Sequence, residues 1–214
     1  MNARQEGPVR AADPAGYLPG FDAGAGVAVL QGGCTRLRPL AQNDYAYLYE
    51  LSLSAVNSAR WRYRGATPSP EQFVSDLWNG VQAQFMIETP EPRKRAGLVV
   101  AYNADQANGT VHLGVLIDGA HHRRVWPLEG VLLFVDYLFQ HWAFRKVYAE
   151  TSGFNAAHFG SGAGRLFEEE GRLRDHQYFH GRYWDQVIYS VTREHWSLCG
   201  RPLLARFRAG GGAP

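Results

Sequence analysis

The sequence predicts a single α/β (α+β) domain built on a mixed β-sheet that carries helices. Three observations lead there. The chain has 214 residues, 45% of them hydrophobic and 13% aromatic, enough to bury one substantial core. Periodicity and turn signals give the element order ββααβββαβαββ. Residues 111–142, VHLGVLIDGAHHRRVWPLEGVLLFVDYLFQHW, run unbroken from an apolar strand through a basic loop into an apolar helix opened by proline.

Residues 1–25 are rich in Gly, Ala and Pro and poor in large apolar groups, so they read as a flexible lead. A strand at Val27–Leu30, a Gly32-Gly33 turn and a strand at Cys34–Leu40 form a hairpin. Asn43 or Asp44 caps a helix from Tyr45 to near residue 57, in which Tyr45, Leu48, Tyr49 and Leu51 recur at helical spacing. After a polar linker holding Arg60, Arg62 and Arg64, Pro68 and Pro70 introduce a second helix over 70–83 with Phe73, Leu77 and Val81 on one side.

Gln84–Glu88 is a short strand, and residues 89–95 turn on two prolines. Ala96–Tyr102 and Thr110–Asp118 are strands joined through Asn108-Gly109, a pair that tolerates positive φ. A helix runs from Pro127 to Trp142, and Lys146–Thr151 is the next strand. Asn155 caps a helix over 156–169, weakened by Gly160, Gly162 and Gly164. Strands at Arg172–Phe179 and Tyr183–Arg193 flank a His180-Gly181 turn. The domain thus spans 26–197, followed by a loose tail over 198–214.

Composition excludes several classes. A net charge of +2, with scattered arginines, gives no concentrated basic face for nucleic acid. Cys34 and Cys199 stand far apart in no ligand-like spacing, so neither a disulfide framework nor a metal site is expected, and a reducing cytoplasm fits. No apolar run reaches the ~18 residues of a membrane span, and no signal pattern opens the chain. The expectation is a soluble, unexported protein.

The strand–loop–helix at 111–142 reads as an anion cradle, with unpaired N–H groups and a positive helix end beneath Arg123 and Arg124. The plainer reading is an ordinary strand–helix turn with two solvated arginines. Arg60, Trp61, Arg62, Tyr63 and Arg64 combine charge and flat aromatic surface, suited to a carboxylate or phosphate, or equally to a surface loop with snorkelling side chains. The aromatic turn at Tyr178–Trp184 either closes a pocket or makes a homodimer contact.

Several segments, in order, resemble the GNAT acyltransferase superfamily, in particular the branch of ribosomal-protein and polyamine N-acetyltransferases. They are TRLRPL (35–40), VHLGVLID (111–118), LEG (128–130), VDYLF (135–139), RKVYAE (145–150), FN (154–155), LFEEEGRLRDH (166–176), and GRYWD followed by YSVTREHW (181–196). The resemblance covers about 27–196. It implies a splayed central sheet of about seven strands with helices on both faces. An acetyl-CoA or other acyl-CoA donor would lie in the splay, its pantetheine on the backbone of Val115, Leu116 and Ile117. A primary amine of a small molecule or peptide would attack the thioester directly, with no metal.

The same resemblance implies a pyrophosphate loop of pattern R/Q-x-x-G-x-G/A. Here the match is His122-Arg123-Arg124-Val125-Trp126-Pro127, which lacks both glycines, and Pro127 has no N–H. The N–H groups of Arg124, Val125, Trp126 and Leu128 are left to hold phosphate, assisted by the Arg123 and Arg124 side chains. His112 takes the place of a branch glutamate as general base, and Asp118 is a second candidate. The helix tyrosine of many relatives aligns with Gly162, leaving Ser161, His158 or water to protonate the departing thiolate. Asn155 caps its helix, reaches pantetheine, or does both. Three functions stay open: an acyl-CoA-dependent N-acyltransferase, an acyltransferase using a carrier-protein donor, and a binding module without chemistry.

Overall fold

The computed structural model describes residues 29–122, 124–159 and 166–209, without the side chains of 157–159. Among the described residues eight strands form one sheet in the order β1-β2-β3-β4-β5-β6-β8-β7. The two-residue β1 (Leu30–Gln31) pairs with β2 (Arg36–Pro39), completing the expected hairpin, although Val27 lies outside the described residues. Helices α1 (Tyr45–Leu53) and α2 (Pro70–Trp78) follow, then β3 (Val81–Glu88), β4 (Arg95–Asp105) and β5 (Thr110–Ile117), a meander antiparallel throughout. Helix α3 (Trp126–His141) crosses over to β6 (Lys146–Ser152), which pairs parallel to β5. Next come α4 (Gly153–Phe159), β7 (Glu168–Phe179) and β8 (Arg182–Thr192). The chain then continues through α5 (Arg193–His195) and a π-helical stretch at Trp196–Gly200 into α6 (Arg201–Arg208).

Strand alternation sorts side chains onto two cores, one per sheet face. Phe85, Ile87, Val99, Ala101, Val111 and Leu113 meet α3 and α6, whereas Met86, Leu98, Val100 and Leu116 meet Leu48, Leu51, Phe73 and Leu77 of α1 and α2. His112 and Gly114 share the parity of Leu116, so they belong to the α1/α2 face. No described helix is long and apolar enough to cross a membrane.

Several segments depart from the sequence reading. The first helix ends at Leu53 rather than near residue 57, and Asp44 at its N-cap makes no side-chain cap bond. The second helix stops at Trp78 because Gly80 takes φ +66°, and Val81 opens a strand opposite Tyr102. Helix α4 starts at Gly153, so Asn155 sits inside it and is not its cap. The predicted end of that helix is instead strand, with Glu168 opposite Ser190. The tail expected to be loose is helical to Arg208. It is held by buried Leu204 and Phe207, and by Asp136 of α3, which accepts from Trp196 Nε1 at 3.0 Å and Arg201 Nε at 3.2 Å.

Candidate active site

The parallel ladder of β5 and β6 is short. It pairs Thr110 with Lys146 through Leu113 with Ala149 and then stops, although β5 continues to Ile117 and β6 to Ser152. Asp118 N–H bonds Ala96 O at 2.9 Å on the β4 side, so by alternation the main-chain groups of Val115 and Ile117 point the other way, into the gap. The opposite edge of β5 is held close to β4. A Cβ on Gly97 would lie 2.1 Å from Leu116 O, and only glycine permits that approach.

The gap is part of a cleft of about 810 Å³, a size suited to a small-molecule ligand. One wall is Leu113–Ile117, and the other is Ala149–Ser152 with Asn155. Asn155 Nδ2 donates to Thr151 Oγ1 at 3.1 Å, which ties α4 to the end of β6. Buried Asn57 seals the end of β5, donating from Nδ2 to Leu51 O at 3.2 Å and to Ile117 O at 3.1 Å. Trp61 closes the α1/α2 side. Its ring edge lies at an ordinary contact distance of 3.5 Å from where a Cβ on Gly114 would stand, and it is Val100 Cγ1, at 2.9 Å, that such a Cβ would press on.

Glu150 faces this cleft two residues beyond Tyr148, on the same strand face. Its Oε1 lies 3.5 Å from His112 Nε2, and its Oε2 accepts from Gln186, which in turn accepts from Gln177 Nε2 at 2.8 Å. His112 itself is not among the cleft-lining residues. Its ring is packed between Tyr102 and Tyr148 at centroid distances of 5.6 and 5.4 Å, and its buried Nδ1 has no hydrogen-bond partner among the described residues. Burial, and secondarily the Glu150 charge, push the Tyr102 hydroxyl above the ordinary phenol range, so Tyr102 reaches the cleft as a neutral donor.

The loop after β5 does not form the expected open cradle. Asp118 caps a turn, accepting from Ala120 N–H at 3.0 Å, and does not line the cleft. Arg124 N–H bonds His121 O at 3.0 Å and Leu128 N–H bonds Val125 O at 3.1 Å, so two of the four proposed donors are used within the loop. Val125 is exposed, and Trp126 packs edge-on against His121 at 5.0 Å. The loop instead turns His121, His122 and Pro127 to the cleft, with a His122 ring nitrogen 3.1 Å from Ile117 O. Arg123 and Ser161 lie outside the described residues, as does the His158 side chain.

The start of α3 is engaged on its inner side. Buried Glu129 accepts from the N–H groups of Gly33 at 2.5 Å and of Cys34 and Thr35 at 2.9 Å each. Glu150, the last residue of the RKVYAE segment, is not among the site residues expected from the sequence. The signal was the strand parity that puts it on His112's face, but placing the two side by side needs the β5–β6 register. Asn57 carried no signal at all.

An acetyltransferase (GNAT) domain family matches residues 35–160, more than half of the chain. The SPbeta prophage-derived uncharacterized N-acetyltransferase YokL of Bacillus subtilis (strain 168) is 24% identical over 102 residues, 48% of this chain and 58% of that protein, so the match spans little over half of the relative's length. Among solved structures, a GCN5-related N-acetyltransferase from Brucella melitensis superposes with a TM-score of 0.65 at 23% identity, covering 85% of this chain and 86% of that one. The spermidine N-acetyltransferase of Vibrio cholerae, in complex with CoA and spermine, gives 0.65 at 20% identity over 76% and 98%. At these identities the superpositions establish the splayed-sheet fold, and the family match establishes descent: the chain belongs to the GNAT acetyltransferase family.

Proposed function

We propose that the protein is an acyl-CoA-dependent N-acyltransferase that moves an acetyl or other acyl group to a primary amine of a small molecule or peptide. The observation that carries this is the parting of β5 from β6 beyond Leu113 and Ala149, which opens a cleft that Glu150 faces. The donor would supply an electrophilic thioester carbonyl. The main-chain groups of Val115 and the N–H of Ile117, without a strand neighbour among the described residues, suit the amides of a pantetheine arm, whereas the Ile117 carbonyl is already held by Asn57.

In the transfer, the amine nitrogen forms a bond to the acyl carbon, the carbon–sulfur bond breaks, and the sulfur leaves as a thiolate that takes up a proton. Glu150 is the group that accepts the amine's proton, because it faces the cleft. His112 acts as a positioning residue behind it, holding the carboxylate from one side while Gln186 holds it from the other. Ser161 stays a candidate for protonating the sulfur.

A second reading, a donor other than free CoA such as an acyl carrier protein, is favoured by the loop whose Arg124 and Leu128 N–H groups are already bonded. Calorimetry with acetyl-CoA tests the two. Micromolar binding, with thiol released when amines are added, supports the first. No binding at millimolar acetyl-CoA, with turnover on an acylated carrier protein, supports the second. Turnover with neither donor overturns both.

A further inference from the structure

Arg60, Arg62 and Arg64, on the segment after α1, line the cleft beside Tyr102 and Glu150. All three are exposed, and among the described residues none has a carboxylate within ion-pair distance. Glu150 is the one carboxylate among the described lining residues, so the cleft carries an excess of positive charge. Arg62 and Arg64 lie near enough to Tyr102 to act on its hydroxyl, both opposing the upward push of burial and Glu150.

The segment is held in place by its own main chain. Trp61 N–H bonds Asn57 O at 2.8 Å, Arg64 N–H bonds Trp61 O at 3.0 Å, and Gly65 N–H bonds Ser58 O at 2.9 Å. Arg64 and Gly65 take φ +47° and +93°, a left-handed pair that turns the chain sharply. Arg60 Nη1 is fixed on Val56 O at 2.8 Å, and its guanidinium lies 5.9 Å from the ring centroid of Phe154 on α4. Arg62 Nη1 is likewise fixed, on Asp76 O at 2.5 Å, so Arg60 and Arg62 present guanidinium groups pre-organised for planar oxyanions, which such groups bind bidentately. A polyamine such as the spermine of the Vibrio cholerae complex would bring several cations against three arginines.

We propose that the acceptor is an amine that also carries an anionic group, a carboxylate or a phosphate, held by Arg62 and Arg64 while its amino group faces Glu150. This rests on the acyl-transfer reading above. The test is a panel of acceptors assayed by thiol release with whichever donor is active: α-amino acids, aminoalkyl phosphates, uncharged amines of matched length, and spermine. The anionic amines are expected to exceed their uncharged analogues about tenfold or more in kcat/KM, since a hydrogen bond to a charged group contributes about that much. The carboxylate and phosphate arms show which anion is recognised.

Arg62→Gln and Arg64→Gln should each raise KM for the anionic acceptor, erase the preference over the uncharged analogue, and leave kcat and the donor KM as they were. Preference for spermine or for uncharged amines overturns the proposal while leaving acyl transfer standing. A rise in donor KM in the two variants also overturns it, since the arginines would then be holding the donor's phosphates. Turnover with no amine and neither donor overturns the acyl-transfer reading itself.

Discussion

At the scale of single residues, the proposed transfer rests most on Glu150, and Asp44 carries much of the electrostatics. Glu150→Gln removes the proton acceptor while keeping the contact to Gln186, so kcat should fall about 10²-fold or more with little change in donor affinity, measured by steady-state kinetics and calorimetry. An unchanged kcat would remove Glu150 from the mechanism. His112→Ala should lower kcat less, and His112→Gln, which keeps a donor near the carboxylate, should recover much of that loss, as expected of a residue that positions Glu150.

Burial alone would raise the Asp44 carboxyl, but the Arg38 guanidinium at 2.7 Å, the Ala41 N–H and Arg95 together hold it below its ordinary 3.8. Folded Asp44 therefore binds protons less readily than unfolded Asp44. Its contribution to stability is full above pH 3.8 and is lost as pH falls below that towards the lowered folded value. Asp44→Asn should cost about 2 kcal/mol at neutral pH, because it takes the carboxylate from the Arg38 Nη groups and leaves that guanidinium with Glu88 as its carboxylate partner, and should flatten the acid limb of denaturant-midpoint curves. Both roles were only half visible in the sequence. Asp44 stood out as a helix-capping residue, and His112 as a basic group on the strand before the loop. Glu150's partnership with His112 depends on which residues of two distant strands stand opposite each other, and no local pattern encodes that.

At the scale of elements, the departures from expectation have local causes. Helix α6 was present in the sequence as Leu204 and Phe207 three apart among arginines, with Pro202 in its first turn, but its composition resembled a solvated tail. Because both apolar side chains are buried against the α3 core, Phe207→Ala should destabilise by about 3 kcal/mol in denaturant unfolding; a truly loose tail would show no effect. The end of α2 was legible too, in Asn79-Gly80, a turn pair passed over because Val81 continued the apolar spacing. The extent of α4 was not. Glu168 and Glu169 are compatible with either helix or strand, and pairing with β8 decides for strand. On β4, Gly97→Ala should cost 2 kcal/mol or more, roughly, since the new methyl would press on Leu116 O and spread the strands that present the cleft wall.

At the scale of the whole molecule, element order and segment order together predicted a helix-flanked splayed sheet, and the two cores show why this was readable. Near-continuous apolar strands such as Leu98–Ala101 demand cover on both faces. What the order of elements left unstated is how far β5 and β6 run together before they part. Among the described residues, that parting leaves a strand edge without a ladder partner in the middle of the sheet, where most proteins tolerate one only at the rim. Along β5, amides facing β4 are locked in a ladder while those of Val115 and Ile117 face the cleft. Hydrogen exchange should therefore alternate residue by residue: fast at Val115 and Ile117, slow at Gly114 and Leu116. Saturating acyl donor should slow the fast pair to the pace of its neighbours, because a ligand lying there completes the sheet as a missing strand would.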